Sequence, residues 1–165
     1  MNLIELLIKE YEMGGKFILA YAEAVPEERF VEQPSGLPNH PGWTLGHLAV
    51  TADMTLQVMG RESMLPEKYK GLFDYGTQPT DDPSMYPDKE TLMKDYARVR
   101  KELLAVVEAT PQKIFDLELP IEEVREYFPT IGHLITHVLS THEGTHYGQL
   151  VCWCKAANIE KPQVM

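Results

Sequence analysis

The stretch TIGHLITHVLSTHEGTHYGQLVCWC, residues 130–154, places four histidines on one long segment with helical periodicity. Thr130 follows a proline and is a favourable residue for capping a helix N-terminus. We predict a helix that begins there and extends to about Ala157. Its histidines form two pairs, His133 with His137 and His142 with His146, and four positions correspond to about one helical turn. Each pair can therefore present both imidazoles on one face.

The apolar residues of this segment predict which pair faces the protein interior. At about 100° per residue, one arc of the helix collects the apolar side chains. These are Ile131, Leu134, Ile135, Val138, Leu139 and Trp153. His142 and His146 fall in the middle of this arc, whereas His133 and His137 fall on the opposite face. The pattern predicts that His142 and His146 are buried and that His133 and His137 face outward.

Two buried imidazoles need polar partners. A neutral imidazole has one donor and one acceptor nitrogen, and an unsatisfied buried polar group costs about 1–3 kcal/mol. A divalent metal would satisfy one nitrogen of His142 and one of His146 together. Alternatively, each ring forms a hydrogen bond with a carbonyl or carboxylate in the core. The residues of this helix alone leave both interpretations open.

Two further helices are predicted in the first part of the chain. The first covers about 3–24, where Asn2 and Glu5 resemble a capping box and Pro26 ends the pattern. Gly14 and Gly15 are candidates for a bend within it. The second helix begins near Trp43, after a stretch rich in proline and glycine, and ends near Gly60.

The third long helix follows Asp88, its predicted N-cap, and ends before Pro111. Long connections at about 61–87 and 112–128 flank it, and a short helix is expected near 67–73. No segment shows the sustained alternation of a strand. Four helices with two long crossovers predict an all-α protein, a single four-helix bundle domain over residues 1–165.

Composition excludes several classes of partner. The chain has 25 acidic and 15 basic residues, a net charge of -10, and no cluster of Lys and Arg. Binding to nucleic acid or to an anionic membrane requires such clusters. No apolar run approaches the roughly 18 residues of a membrane span. Cys152 and Cys154 point apart on a helix and form no disulfide framework, which indicates a reducing, cytoplasmic location.

A fifth histidine lies near the start of the second helix. In PGWTLGHLAVTADM, residues 41–54, His47 comes about one turn after the predicted helix start. The periodicity around it is ambiguous, because Trp43 and Leu48 flank it while Ala49 and Val50 lie elsewhere on the helix. The local pattern is compatible with a core histidine or with a ligand.

Two motifs together resemble a known family. Trp43-x-x-Gly46-His47-Leu48, followed far downstream by His142-x-x-x-His146-x-Gly148-Gln149, is similar to the DinB-like superfamily, which includes the YfiT-type metal-dependent hydrolases. The resemblance spans almost the whole chain. It implies an up-down-down-up four-helix bundle with long crossovers, and a divalent metal bound by three histidines. Carried over to this sequence, the implied ligands are His47, His142 and His146, whereas His133 and His137 match no ligand position.

Three neutral imidazoles would leave coordination positions open, as in catalytic zinc sites. Zn or Ni is expected, with Fe or Mn as further possibilities, because imidazole ligands alone do not specify the metal. The resemblance implies a metal-dependent hydrolase or a transferase that depends on a low-molecular-weight thiol. A non-catalytic metal-binding protein, acting in stress response or as a scaffold, is the alternative. A third interpretation is a scaffold without metal, in which the histidines are core residues.

Other residues near these motifs receive weaker predictions. We expect Glu143 to face solvent and Gln149 to return to the core, where it orients a ligand or packs. Asp53 lies too far around its helix to share a metal with His47. His40 is expected to lie in a loop away from the site. Tyr147 and Trp153 are expected to pack, and the aromatic connection at 61–87 to cover the end of the bundle or to act as a connector.

The outer face of the last helix carries a row of small residues. Ser140, Gly144, Gly148 and Cys152 recur every four positions. A glycine inside a helix costs about 1 kcal/mol relative to alanine, so two of them indicate a packing reason. We expect another helix to approach this face, either from the same bundle or from the second subunit of a homodimer.

Overall fold

A computed structural model describes residues 3–34 and 36–164 of the chain. Its helices are α1 (Leu3–Ala24), α2 (Pro41–Val58), α3 (Lys68–Phe73), α4 (Lys89–Ala109), α5 (Gln112–Phe115), α6 (Ile131–His137) and α7 (Glu143–Ala156). A π-helical turn, Val138–His142, joins α6 to α7. Short 3-10 turns cover Glu27–Arg29, Pro83–Met85 and Glu122–Val124. Within the described ranges the only strand-like feature is a single bridge between Glu118 and Thr130. The all-α prediction is confirmed.

Side-chain caps fix the starts of three helices, α2, α4 and α6. The Asp88 carboxylate accepts the backbone N–H of Thr91, and Thr130 caps α6, as predicted. Helix α2 begins at Pro41, two residues before the expected start, because Nδ1 of His40 accepts the N–H of Trp43 at 3.0 Å. The proposed cap residue Asn2 lies outside the described residues.

The predicted connections also have the expected form. The short helix expected near 67–73 is α3, and it packs on α2. Gly60 follows α2 with a φ of +81°, a left-handed conformation that glycine adopts without steric cost. Helix α5 packs on α6 within the second connection. Both long connections are therefore anchored to the helices they join.

The four long helical segments pack side by side. Helix α1 contacts α4 and α7, and α2 contacts the same two helices. Two hydrophobic clusters fill the space between them. One is centred on Trp43, Tyr96 and Trp153, and the other on Leu56, Leu103 and Leu139. Among the described residues, no helix is both long enough and apolar enough to cross a membrane.

Helix α1 continues through Gly14 and Gly15, and a bend there stays a prediction. Gly15 has a packing role. A Cβ atom there would overlap the guanidinium of Arg100, which is itself only 7% exposed. The glycine therefore gives a buried arginine of α4 the space to lie against α1.

The last long helix is not uniform, and this corrects the wheel prediction. The five-residue π turn, Val138–His142, interrupts the α-helical register between α6 and α7. A π turn accommodates about one more residue than an α turn, so the two halves of the helix are rotated relative to a continuous α-helix. The apolar residues of both halves still reach the core. The residues between the two halves therefore face other directions than a continuous helical wheel predicts.

Candidate metal centre

Three histidines from two helices meet in the interior. His47 lies in the second turn of α2, His142 ends the π turn, and His146 follows one turn later in α7. One ring nitrogen from each lies within 4.8 Å of the others. The ring centroids are 5.1 Å apart for His47 and His142, and 4.7 Å apart for each of the other two pairs. This group could hold a metal ion.

The backbone of α3 fixes the orientation of His47. Its Nδ1 lies 2.7 Å from the carbonyl oxygen of Phe73, which can only accept a hydrogen bond. The proton of a neutral His47 is therefore on Nδ1, and Nε2 carries the lone pair. That lone pair points at Nε2 of His142, 3.1 Å away. Histidine ligands of metals commonly donate their second N–H in this way.

A divalent cation fits the nitrogens that these rings present. Nδ1 of His142 and Nδ1 of His146 are buried without a hydrogen-bond partner. If Nε2 of His142 donated to His47, the lone pair of its Nδ1 would be the buried orphan. In either arrangement Nδ1 of His142 has no partner. A cation between the rings would be a shared partner for the Nε2 lone pairs of His47 and His142, which face each other, so the donor set fits a cation.

Burial keeps the three rings neutral. Burial, together with like-charge repulsion from His146 and His47, lowers the pKa of His142 to about 3. Burial also lowers the pKa of His146 to about 4. The pKa of His47 is lowered by burial too, although the Phe73 carbonyl opposes this. A metal would therefore compete with few protons at neutral pH.

Trp43 covers one side of the group. Its ring stacks on His47 with centroids 4.6 Å apart and an interplanar angle of 8°, and it lies 6.1 Å from His146. Its indole N–H donates to the Thr77 hydroxyl at 3.0 Å, so the first connection holds it in place. Gln149 accepts a hydrogen bond from Asn39 at 3.0 Å and is adjacent to His146, in agreement with the predicted orienting or packing role.

His137 does not face outward as the wheel predicted. Residues five apart lie on the same side of a π turn, and the ring of His137 lies 5.6 Å from that of His142. The ring also packs on Phe128 at 4.9 Å. His133 is exposed, as expected, and its ring contacts the Thr130 hydroxyl. The π turn thus places His137 next to His142, whereas His133 remains exposed.

Glu143 is buried, which contradicts the expectation that it faces solvent. It is 3% exposed, and its carboxylate accepts hydrogen bonds from the Tyr96 hydroxyl and from Arg100 at 2.9 Å. Arg100 also donates to the backbone carbonyl of Tyr11. Burial raises the pKa of Glu143 to about 7, against the opposing effect of Arg100. The register shift of the π turn accounts for the error, because it turns Glu143 towards α4.

The remaining candidates have structural contacts. Asp53 is buried and accepts hydrogen bonds from Ser63 and from the backbone of Met64, so it anchors the first connection, away from the histidine group. His40 caps α2, apart from that group. Trp153 is 1% exposed and donates to the carbonyl of Glu32, and Tyr147 packs on aromatic rings of α1. The packing predicted for Tyr147 and Trp153 is confirmed, and the expectation that Asp53 and His40 bind no metal stays a prediction.

Among the described residues, no atom fills the space beside Gly144 and Gly148 in the row of small residues. A Cβ atom added to Gly144 or Gly148 would meet nothing within 4 Å, and Cys152 is exposed. Contact with a second subunit stays a prediction.

Sequence reasoning missed the Phe73 carbonyl. Gly46 is the residue that could have indicated this contact, because a Cβ atom there would overlap the Phe73 ring. The glycine of the W-x-x-G-H motif lets α3 approach α2 closely enough to reach His47. Its position next to a histidine is thus explained by packing.

The fold and the site together define an all-helical protein with an internal group of three histidines. Comparison with protein families agrees with this description: the DinB superfamily model matches residues 11–150. The chain belongs to the DinB superfamily. No curated protein and no solved structure shows a significant match.

Proposed function

We propose that the protein binds one divalent metal ion through His47, His142 and His146 and uses an open coordination position for chemistry on a small molecule. The observation that carries this proposal is the convergence of the three ring nitrogens within 4.8 Å. When bound, the metal would supply Lewis-acid chemistry, which lowers the pKa of a coordinated water or thiol. Either hydrolysis or transfer to a low-molecular-weight thiol would follow from that chemistry.

The residues around the ligands have distinct roles in this proposal. The Phe73 carbonyl holds the proton of His47 on Nδ1, which keeps Nε2 available as a ligand. Trp43 covers the ring of His47 and excludes water from that side. Zn or Ni is the expected ion, and Fe or Mn is also compatible with imidazole ligands.

Elemental analysis of untagged protein tests the metal site. We expect about one equivalent of metal in the wild type and loss of this metal in His142→Ala. His133→Ala is the matched control, because His133 is exposed on the same helical segment. A wild type that takes up no Zn, Ni, Fe or Mn would reject the proposal.

A non-catalytic role in stress response or as a scaffold is the second candidate. The burial of His47 and His146, at 7% and 8% exposure, favours it, because a metal there would also tie α2 to α7. The two candidates differ in the coordination sphere. Exchangeable water on the bound metal supports the enzyme, and a sphere closed by a fourth protein ligand supports the structural role.

We further propose an up-down-down-up bundle, a cytoplasmic location and a homodimer. In this order α2 and α4 run in parallel, and the long connection at about 61–87 suits such a crossover. The free thiols of Cys152 and Cys154 suit a reducing compartment. The open face at Gly144 and Gly148 is available to a second subunit.

Analytical ultracentrifugation tests the homodimer. We expect a dimer at micromolar concentration that Gly148→Arg converts to a monomer. Ala105→Arg, at an exposed position of α4, serves as the control and should stay dimeric. A wild type that sediments as a monomer would exclude the dimer.

A further inference from the structure

A groove lies beside the histidine group, at the side of His142. It is formed by the start of α1, the second connection and the outer face of α6, and its volume is about 470 Å³. Small-molecule sites usually have volumes of 300–1,000 Å³. His137 belongs to its wall, and the same ring lies 5.6 Å from the ring of His142. One imidazole thus connects the groove to the candidate metal centre.

Of the three histidines, only His142 is partly exposed, and its ring lies next to His137, which lines the groove. His47 and His146 are buried, whereas His142 is partly exposed. Trp43 covers His47 and lies against His146, and the Phe73 carbonyl contacts the remaining nitrogen of His47. The uncovered approach to the group therefore passes His142 and its neighbour His137.

The lining of the groove indicates what it can bind. Its walls combine aromatic and aliphatic side chains, such as Phe115, Phe128 and Leu7, with the hydroxyls of Thr136 and Ser140. None of the described residues that line it is Lys or Arg, and Asp116 carries its one carboxylate. An anion would find no counter-charge there, and an apolar group would leave water.

We propose that this groove is the substrate cleft of the metal centre and that it takes an uncharged small molecule with an aromatic or aliphatic portion. The apolar portion lies against Phe128 and the start of α1, and His137 contacts the substrate next to His142. This inference rests on the proposed function, since the cleft serves the metal that the three histidines bind. The π turn is what places His137 at the contact point.

Cobalt-loaded protein and two neutral probes test the cleft. Imidazole and 4-phenylimidazole can occupy the same open coordination position, and they differ only in the phenyl group. Their binding is followed by the visible absorption of Co²⁺. We expect 4-phenylimidazole to bind about tenfold more tightly, because its ring is partly buried in the groove. The anionic probe 4-(imidazol-4-yl)benzoate should lose this advantage.

Two variants test whether the tighter binding of 4-phenylimidazole depends on the groove. Thr136 is exposed and lines the groove, so Thr136→Trp should fill it and abolish the preference for the phenyl group without changing imidazole binding. Tyr127→Ala removes a wall residue that is 74% exposed and should reduce the preference without affecting folding. Thr145→Trp, exposed on α7 outside the groove, should behave as the wild type.

The outcomes separate this inference from the proposed function. If the protein takes up no Co²⁺, or if imidazole does not change its spectrum, the metal centre itself is wrong and the cleft fails with it. If imidazole binds but the phenyl group gives no advantage, or if the advantage survives in both groove variants, only the cleft is wrong. Equally tight binding of the benzoate probe would overturn the assignment to uncharged molecules.

Discussion

At the scale of single residues, one glycine links packing to the candidate chemistry. Gly46 has no Cβ, and the ring of Phe73 occupies the space where a Cβ would lie. That contact holds α3 against α2, and α3 supplies the carbonyl that orients His47. The ligand geometry thus depends on a residue that offers no ligand.

Gly46→Ala should therefore disturb both stability and metal binding. The added methyl group overlaps the Phe73 ring, and such overpacking costs about 1–3 kcal/mol of unfolding free energy. We expect urea denaturation to show this loss and a metal titration to show weaker binding. Gly71→Ala is the control within α3, where a Cβ would meet nothing within 4 Å. Unchanged metal affinity in Gly46→Ala would show that the packing of α3 does not control the orientation of His47.

The histidine ligands themselves show how far sequence goes at this scale. The wheel correctly placed His146 in the core, whereas His142 joins the same histidine group but is partly exposed. The importance of His47 came from its motif, since the local periodicity was ambiguous. The contact between His47 and the Phe73 carbonyl joins distant parts of the chain, and no local pattern encodes it.

At the scale of elements, the π turn explains the errors in the predicted helix faces. Caps and terminators predicted the ends of α4 and the start of α6 correctly, because capping depends on adjacent residues. The positions of His137 and Glu143 were wrong, because a wheel assumes a constant rotation per residue. A π turn depends on the packing of both halves of the helix, which sequence periodicity does not reveal.

The buried pair of Arg100 and Glu143 joins α7 to α4 beside this turn, and its two members should be strongly coupled. Removing Arg100 alone, as in Arg100→Met, leaves a buried carboxylate without its cation and should cost about 3–5 kcal/mol. The double variant Arg100→Met with Glu143→Met should cost less than Arg100→Met alone. Urea denaturation of the two single variants and the double variant measures this coupling. Additive losses would contradict it.

At the scale of the whole molecule, the buried histidines make the stability depend on pH. Burial lowers the pKa of His40 to about 4, as it does for His146, and it lowers that of His142 to about 3. Unfolding restores their ordinary pKa near 6.5, so the unfolded state binds more protons below that pH. Glu143 acts in the opposite direction, since its pKa of about 7 makes the folded state bind one proton more.

The metal-free protein should therefore lose stability as the pH falls below about 6.5. Three histidines outweigh one glutamate, and each net proton contributes about 1.4 kcal/mol per pH unit. We expect a loss of about 2–3 kcal/mol per unit between pH 6 and pH 5, measured by urea denaturation in the presence of a chelator. The variant His142→Gln should show a shallower dependence. A stability that is flat over this range would mean that the histidines are already protonated in the folded state.

The overall architecture was the most predictable level. Helical periodicity and proline punctuation give the four long segments, and α1 and α4 have the expected bounds. The sequence could not predict how the two connections pack against the long helices. Helix α3 packs on α2, and α5 packs on α6, through contacts between residues that are distant in sequence.

The π turn also lets the last helical segment hold one residue more than a continuous α-helix would hold in the same length. If residues 138–142 were wound as an α-helix with no residue removed, α6 would rotate by about 100° relative to α7. Ile131, Leu134 and Ile135 would then leave the core while His142 and His146 stayed in place. Deleting one residue within 138–142 would instead give a continuous α-helix whose two halves keep their present relative orientation. The turn thus absorbs an additional residue without moving either half of the helix.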